Sequence, residues 1–192
     1  MARQISATPE SWPLVQPFAI SRGVKTVAEV VVAEVTEDSA AGRGECVPYA
    51  HYGETIEGVL NAIRGYDPSG GRAGLASNLP PGAARNALDC AFWDLEAKRD
   101  RKRVWELTGT ALPEPTVTAE TISLGTTKEM AAAAARLSRN PLIKVKLDAE
   151  NVVERMRVVR RNAPEARLII DPNESWDLDL LYDIVQVLAE LG

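Results

Sequence analysis

The run "LIKVKL" at residues 142–147 is followed by "LIIDPNESW" at residues 168–176. Lysine is among the side chains least often buried, so two of them set into a short apolar strand need a reason. Side chains alternate faces along a strand. Lys144 and Lys146 therefore share one face, and Ile143, Val145 and Leu147 share the other. The apolar face suits crossover helices, and the lysine face is the one that would line a barrel interior. Two ammonium groups this close repel each other, and partial desolvation adds to the pressure toward a neutral amine. A lysine in that setting is a candidate general base. In the second run Asp171 closes the strand, in phase with Ile169, and "DPN" breaks it with Asn173 just beyond. Sites in parallel α/β folds gather at the carboxyl ends of strands, and neighbouring strands lie ~4.8 Å apart. A candidate base and a candidate carboxylate ligand for Mg²⁺ thus fall on one face of adjacent strands. The plain alternatives are a solvated Lys-x-Lys strand and an aspartate that only starts a turn.

Outward from these strands the second half of the chain alternates regularly. "TVTAETISL" (116–124), "LIKVKL" and "ARLIID" (166–171) read as strands. Between and after them, "EMAAAAARLSR" (129–139), "AENVVERMRVVRRN" (149–162) and "DLDLLYDIVQVLAELG" (177–192) read as helices. Thr126 and Glu129 have the spacing of a capping box. Val152, Val153, Met156 and Val159 form one apolar face, and Leu181, Ile184, Val185 and Leu188 another. This alternation predicts parallel strands joined by helical crossovers. A closed (β/α)8 barrel runs to ~250 residues. The expectation is therefore a barrel truncated after its first three βα units, or a chain whose open edge is covered by a partner.

The first hundred residues follow another pattern. "KTVAEVVVAEVTEDSAAGRGECVP" (25–48) is two strands about a polar turn. "RQISATPESWPLVQPFAI" (3–20) reads as a strand broken by its three prolines. "GETIEGVLNAIRG" (53–65) and "GAARNALDCAFWDLEAKR" (82–99) read as helices, the second with a stripe of Ala84, Leu88, Ala91, Phe92 and Leu95. "DPSGGRAGLASNLPPG" (67–82) reads as a loop, and "VWELTG" (104–109) as a helical turn stopped by Gly109. Trp93 and Trp105 are expected in the core. The organisation expected is an α+β domain over residues 1–110 and three βα units over residues 111–192.

Composition narrows the partners. With 22 basic and 27 acidic residues the chain carries a formal charge of −5, which argues against nucleic acid or an anionic membrane surface. No apolar run reaches the ~18 residues of a membrane span. The opening "MARQISATPESWP" has no signal-peptide core, so the expected location is cytoplasmic. Cys46 and Cys90 are the only cysteines and His51 the only histidine, so no zinc-type cluster is spelled out.

These residues also resemble a known family. "KVKLD" (144–148), "IIDPNESW" (169–176) and "ARNALDCAFWDLEAK" (84–98) resemble the muconate-lactonising subgroup of the enolase superfamily, and "FAISRGVKT" (18–26) resembles its dipeptide epimerases of the L-Ala-D/L-Glu type. The resemblance covers essentially the whole chain. It implies an α+β capping domain over a TIM-type barrel, and Mg²⁺-assisted removal of the proton α to a carboxylate. Lys146 would be the general base and Lys144 its electrostatic neighbour. Asp171 would be one of three metal ligands, supported by Asn173. Thr121 would line the pocket, Arg22 would meet an acidic dipeptide side chain, and Tyr52, in "VPYAHYGET", would be a second-loop contact. The other metal ligands and an opposing lysine would lie on later strands, so these 192 residues alone are expected to be inactive. Other reactions on the same scaffold are o-succinylbenzoate synthesis and cycloisomerisation. The remaining alternative is a non-catalytic binding or assembly module. A homo-oligomer is compatible with all of these.

Overall fold

The computed structural model describes residues 3–192. They fall into two compact units. One comprises the chain up to Pro13 together with Val27–Glu114, and the other comprises Leu14–Thr26 with Pro115–Gly192. The segment 14–26, read from sequence as part of the first unit, therefore packs with the second.

Strands β1 (Gln4–Ile20), β2 (Gly23–Glu37) and β3 (Ala40–Cys46) form a sheet in the order β1-β2-β3, and all but the 14–26 end of the β1–β2 hairpin belongs to the first unit. β2 and β3 pair antiparallel, from Val31 opposite Cys46 to Glu37 opposite Ala40. Their two-residue connection begins at Asp38 (φ 53°), in the left-handed region that tight hairpin turns require. β1 is one continuous strand and is not broken at its prolines. The reason lies in their spacing. Pro9, Pro13 and Pro17 are four residues apart, so their missing N–H groups all fall on one side of the strand. On an edge strand that side can face away from the ladder.

Helix α1 (Ile56–Arg64) buries Val59 and Ile63, and its cap Thr55 accepts from Gly58 N–H at 3.0 Å. The stretch expected to be a loop contains two 3-10 turns and the short helix α2 (Leu75–Asn78), because Leu75 is buried and ties it to the core. Helix α3 (Ala83–Asp100) buries Ala83, Ala87, Leu88, Ala91, Phe92 and Leu95. It lies directly on β3. A Cβ at Gly42 would sit 2.0 Å from Ala91 O, and one at Gly44 2.0 Å from Ala87 O. Glycine on the strand opposite alanine on the helix is what permits that approach. Helix α4 (Val104–Thr108) ends at Gly109 in the left-handed conformation (φ 68°). Trp93 and Trp105 are only half-buried, contrary to the core placement expected of them. The Trp93 ring is covered by the Arg72 guanidinium, 3.4 Å from its centroid, so a cation takes the place of core side chains.

In the second unit β4 (Glu120–Ile122), β5 (Leu142–Lys146) and β6 (Arg167–Asp171) form a parallel sheet in that order. Helices α5 (Thr127–Arg136) and α6 (Val152–Asn162) are the crossovers, and α7 (Leu178–Leu191) follows β6. β4 is shorter than the sequence reading because only Glu120–Ile122 find partners on β5. The capping box forms, with Thr126 N–H donating to Glu129 Oε2 at 2.8 Å and Glu129 N–H to Thr126 Oγ at 3.3 Å. Ile122, Ile143, Val145 and Leu147 meet Met130, Ala134, Met156, Val159 and Ile184 in one core. α7 is rotated from its expected facing. Leu180, Ile184, Leu188 and Leu191 pack inward, while Leu181 and Val185 are exposed. This helix is apolar on more than one side, so spacing alone does not select the packed face. None of the helices among the described residues is long and apolar enough to cross a membrane.

Candidate active site at the ends of strands β5 and β6

Alternation on β5 sends Ile143, Val145 and Leu147 into the helix-covered core, where all three are fully buried. Lys144 and Lys146 consequently project from the other face of the sheet. The parallel register sets Lys144 opposite Thr121 on β4 and Ile169 on β6, and Lys146 opposite Asp171. Both ammonium groups converge on one atom, with Lys144 Nζ and Lys146 Nζ each 2.7 Å from Asp171 Oδ2. Lys146 is 6% exposed and is the one buried charged residue among those described. A buried ammonium needs a counter-charge and further acceptors. Lys146 has both, since it also donates to Asn173 Oδ1 at 2.9 Å.

The loop after β6 completes the arrangement. Asn173 N–H donates to Asp171 Oδ1 at 3.0 Å. Asn173 (φ 50°) and Glu174 (φ 67°) are both left-handed, and Ser175 N–H closes the turn on Pro172 O at 3.2 Å. These are the torsions of a type I′ turn. The Asp171 carboxyl is held well below the usual carboxylate range, chiefly by the hydrogen bond from Lys144, then by that from Lys146, against the opposing effect of burial. At neutral pH it is a charged acceptor held by two lysine side chains.

The tip of the β1–β2 hairpin reaches the same loop. Arg22 Nη1 donates to Asn173 O at 3.0 Å and lies 3.5 Å from Glu174 Oε2, and Ser21 Oγ donates to the same carbonyl at 3.3 Å. Phe18 presents its ring 5.9 Å from Lys146 Nζ. Lys144, Lys146, Asp171, Asn173 and Arg22 are therefore brought together, with Thr121 alongside on the lysine face. Tyr52 is not among them. It belongs to the first unit, where it is 75% exposed and packs edge-on against Tyr49 and His51. Phe18, Ser21 and Glu174 were missed by sequence reasoning. Phe18 and Ser21 lie beside Arg22 in the segment already singled out, and Glu174 follows Asn173, but only the fold joins the two segments.

Asp171 offers a hard oxygen of the kind Mg²⁺ selects. Three contacts, from Lys144, Lys146 and Asn173 N–H, use three of the about four lone-pair positions of a carboxylate, and the remaining one is on Oδ1. No group of three or more His, Cys, Asp or Glu among the described residues is placed to hold a metal. These residues fit one protein ligand of such a site and do not form it alone.

The chain is similar to the L-Ala-D/L-Glu epimerase of Escherichia coli (strain K12), with 44% identity over 196 residues that take in 99% of this chain and 61% of that protein. Its fold superposes with a TM-score of 0.94 on an enolase family member of Agrobacterium tumefaciens with homology to dipeptide epimerases, solved with bound sodium and L-Ala-L-Glu. That pair is 44% identical over 98% of this chain and 59% of the other. A dipeptide epimerase of Methylococcus capsulatus, solved with Mg and the dipeptide L-Arg-D-Lys, superposes with a TM-score of 0.86 at 31% identity, over 100% of this chain and 60% of that one. The chain thus spans about three-fifths of the length of these relatives. Residues 2–109 match the N-terminal domain of the mandelate racemase / muconate lactonizing enzyme family, and the chain belongs to that family, within the enolase superfamily.

Proposed function

We propose that this chain is the amino-terminal part of a Mg²⁺-dependent dipeptide epimerase acting on an acidic dipeptide of the L-Ala-D/L-Glu type. The observation that carries the reading is the convergence of Lys144 and Lys146 on Asp171 Oδ2 at the carboxyl end of β6, with Arg22 beside it. Acting as the free amine, Lys146 Nζ takes the proton from the carbon α to the substrate carboxylate and becomes the ammonium. Lys144 adds positive charge next to that carboxylate and competes with Lys146 for the same anchoring oxygen. Asp171 and Asn173 fix the position of the Lys146 ammonium through Oδ2 and Oδ1. Phe18 shields it from water on the hairpin side. Arg22 receives the acidic side chain of the dipeptide, and Thr121 lines the pocket. Asp171 would be one of the ligands to Mg²⁺, whose charge would make so weak a carbon acid accessible to an amine base.

Similarity to dipeptide epimerases supports the reaction class, and Arg22 supports an acidic substrate over the ring-closing reactions of the same superfamily. The test is proton NMR of L-Ala-L-Glu in D₂O with Mg²⁺ and the full-length protein. Loss of the glutamate α-proton signal with appearance of the second epimer is expected. An unexchanged α-proton would refute the reading.

A further inference from the structure

We propose that Glu174 is a built-in competitor for Arg22 and so sets how tightly the site takes a dipeptide with an acidic side chain. The inference rests on the epimerase reading above. Arg22 Nη1 donates to Asn173 O at 3.0 Å and has Glu174 Oε2 at 3.5 Å, so the backbone and the side chain of one turn hold the guanidinium together. Ser21 Oγ binds the same carbonyl at 3.3 Å and ties the neighbouring residue of the hairpin tip to that turn. The turn itself does not call for glutamate. Its left-handed torsions at Asn173 and Glu174 favour glycine or asparagine over glutamate. Glutamate at 174 puts a carboxylate where the guanidinium docks.

A guanidinium that receives a substrate carboxylate must exchange partners. Asn173 O is neutral and can stay bound, because arginine has several further N–H donors. The Glu174 carboxylate repels an arriving anion and occupies the same charge, so it is the partner displaced. The Glu174 side chain is 68% exposed and that of Arg22 31%, so the pair is weak enough to exchange. Exposed pairs of this kind correspond to about two- to fivefold in an equilibrium constant. The neutral amide of L-Ala-L-Gln has no need to displace Glu174, so the effect is confined to acidic substrates.

The experiment compares wild type with Glu174→Gln and with Glu174→Gly, which suits the turn and drops the carboxylate. With the full-length protein, both variants are expected to lower KM for L-Ala-L-Glu about two- to fivefold, with kcat nearly unchanged and KM for L-Ala-L-Gln unmoved. The acidic-substrate gain fades in about 1 M salt, where exposed charges are screened. An unchanged KM for L-Ala-L-Glu, or an equal shift for both dipeptides, would overturn the proposal. If wild type turns over neither dipeptide, it is the epimerase reading that fails. The ion pair is then judged by amide hydrogen exchange at Ser21–Val24, where Glu174→Gln is expected to speed exchange by a similar factor. Unchanged exchange there would reject the role of Glu174 independently of activity.

Discussion

Lys146 Nζ lies 2.7 Å from Asp171 Oδ2, joining a lysine that is 6% exposed to a carboxylate on the adjacent strand. Removing one member of a buried pair leaves the other uncompensated, whereas removing the buried charge itself does not. Asp171→Asn is therefore expected to destabilise the protein by about 1.5–3 kcal/mol. Lys146→Met, which keeps the aliphatic stem, is expected to cost distinctly less. Denaturant melts of the two variants check the order, and a Lys146→Met protein weaker than Asp171→Asn would contradict the pairing.

The same pair has a pH signature. Asp171 titrates lower when folded than when unfolded, so its contribution is present above the unfolded carboxylate value of about 3.9 and is lost as pH falls toward the folded one. The stability gap between wild type and Asp171→Asn should be constant from neutral pH down to about pH 5 and then shrink with further acid. Urea titrations at a series of pH values measure it. A gap that widens in acid would reverse the sign and reject the assignment.

The seat of α3 on β3 depends on two positions without side chains. A Cβ at Gly42 would meet Ala91 O at 2.0 Å and Leu95 N at 2.3 Å, and neither backbone atom can step aside cheaply. Gly42→Ala or Gly44→Ala should cost about 1–3 kcal/mol or more. The measurement is the thermal or denaturant midpoint. A midpoint equal to that of wild type would show that helix and strand are further apart than described.

The two cysteines should behave oppositely. Cys90 is exposed, while Cys46 is 5% exposed and its thiol donates to Val31 O at 3.6 Å. Burial pushes the Cys46 thiol up to about 11. At pH 8 iodoacetamide should label Cys90 and spare Cys46 in the native protein, with both labelled after unfolding. Because the folded value lies above the unfolded one, the protonated Cys46 stabilises the fold fully below about pH 9, and that contribution is lost as pH rises toward 11. Peptide mass mapping reads the result, and native labelling of Cys46 at the rate of Cys90 would contradict it.

Arg22 carries the proposed preference for acidic substrates. Arg22→Met should raise KM for L-Ala-L-Glu by one to two orders of magnitude, roughly the 1.5–3 kcal/mol of a charge-assisted hydrogen bond, while leaving L-Ala-L-Gln much less affected. Steady-state kinetics with the two dipeptides separate these outcomes. Equal losses on both would assign Arg22 to the turn it docks on and not to the substrate.

Strand alternation made Lys144, Lys146 and Asp171 legible in the sequence, because a period of two leaves little freedom once Ile143, Val145 and Leu147 are recognised as core. The βα order and the capping box at Thr126 were equally readable, since both are local. The partners that cross the chain were not. Ser21 and Arg22 meet Asn173 across about 150 positions, and Phe18 meets Lys146 across about 130, separations on which no local periodicity bears. The continuity of β1 depended on knowing that it is an edge strand. The facing of α7 depended on tertiary contacts that chose among several apolar sides.

Lys146 is proposed to serve one face of the α-carbon in a two-base epimerisation, and deuterium from solvent reports on that role. Wild-type full-length protein is expected to exchange the glutamate α-proton of both L-Ala-L-Glu and L-Ala-D-Glu and to interconvert them. Lys146→Ala should abolish interconversion while still exchanging the α-proton of one epimer only, through the base on the opposite face. Continued interconversion by Lys146→Ala would contradict the account.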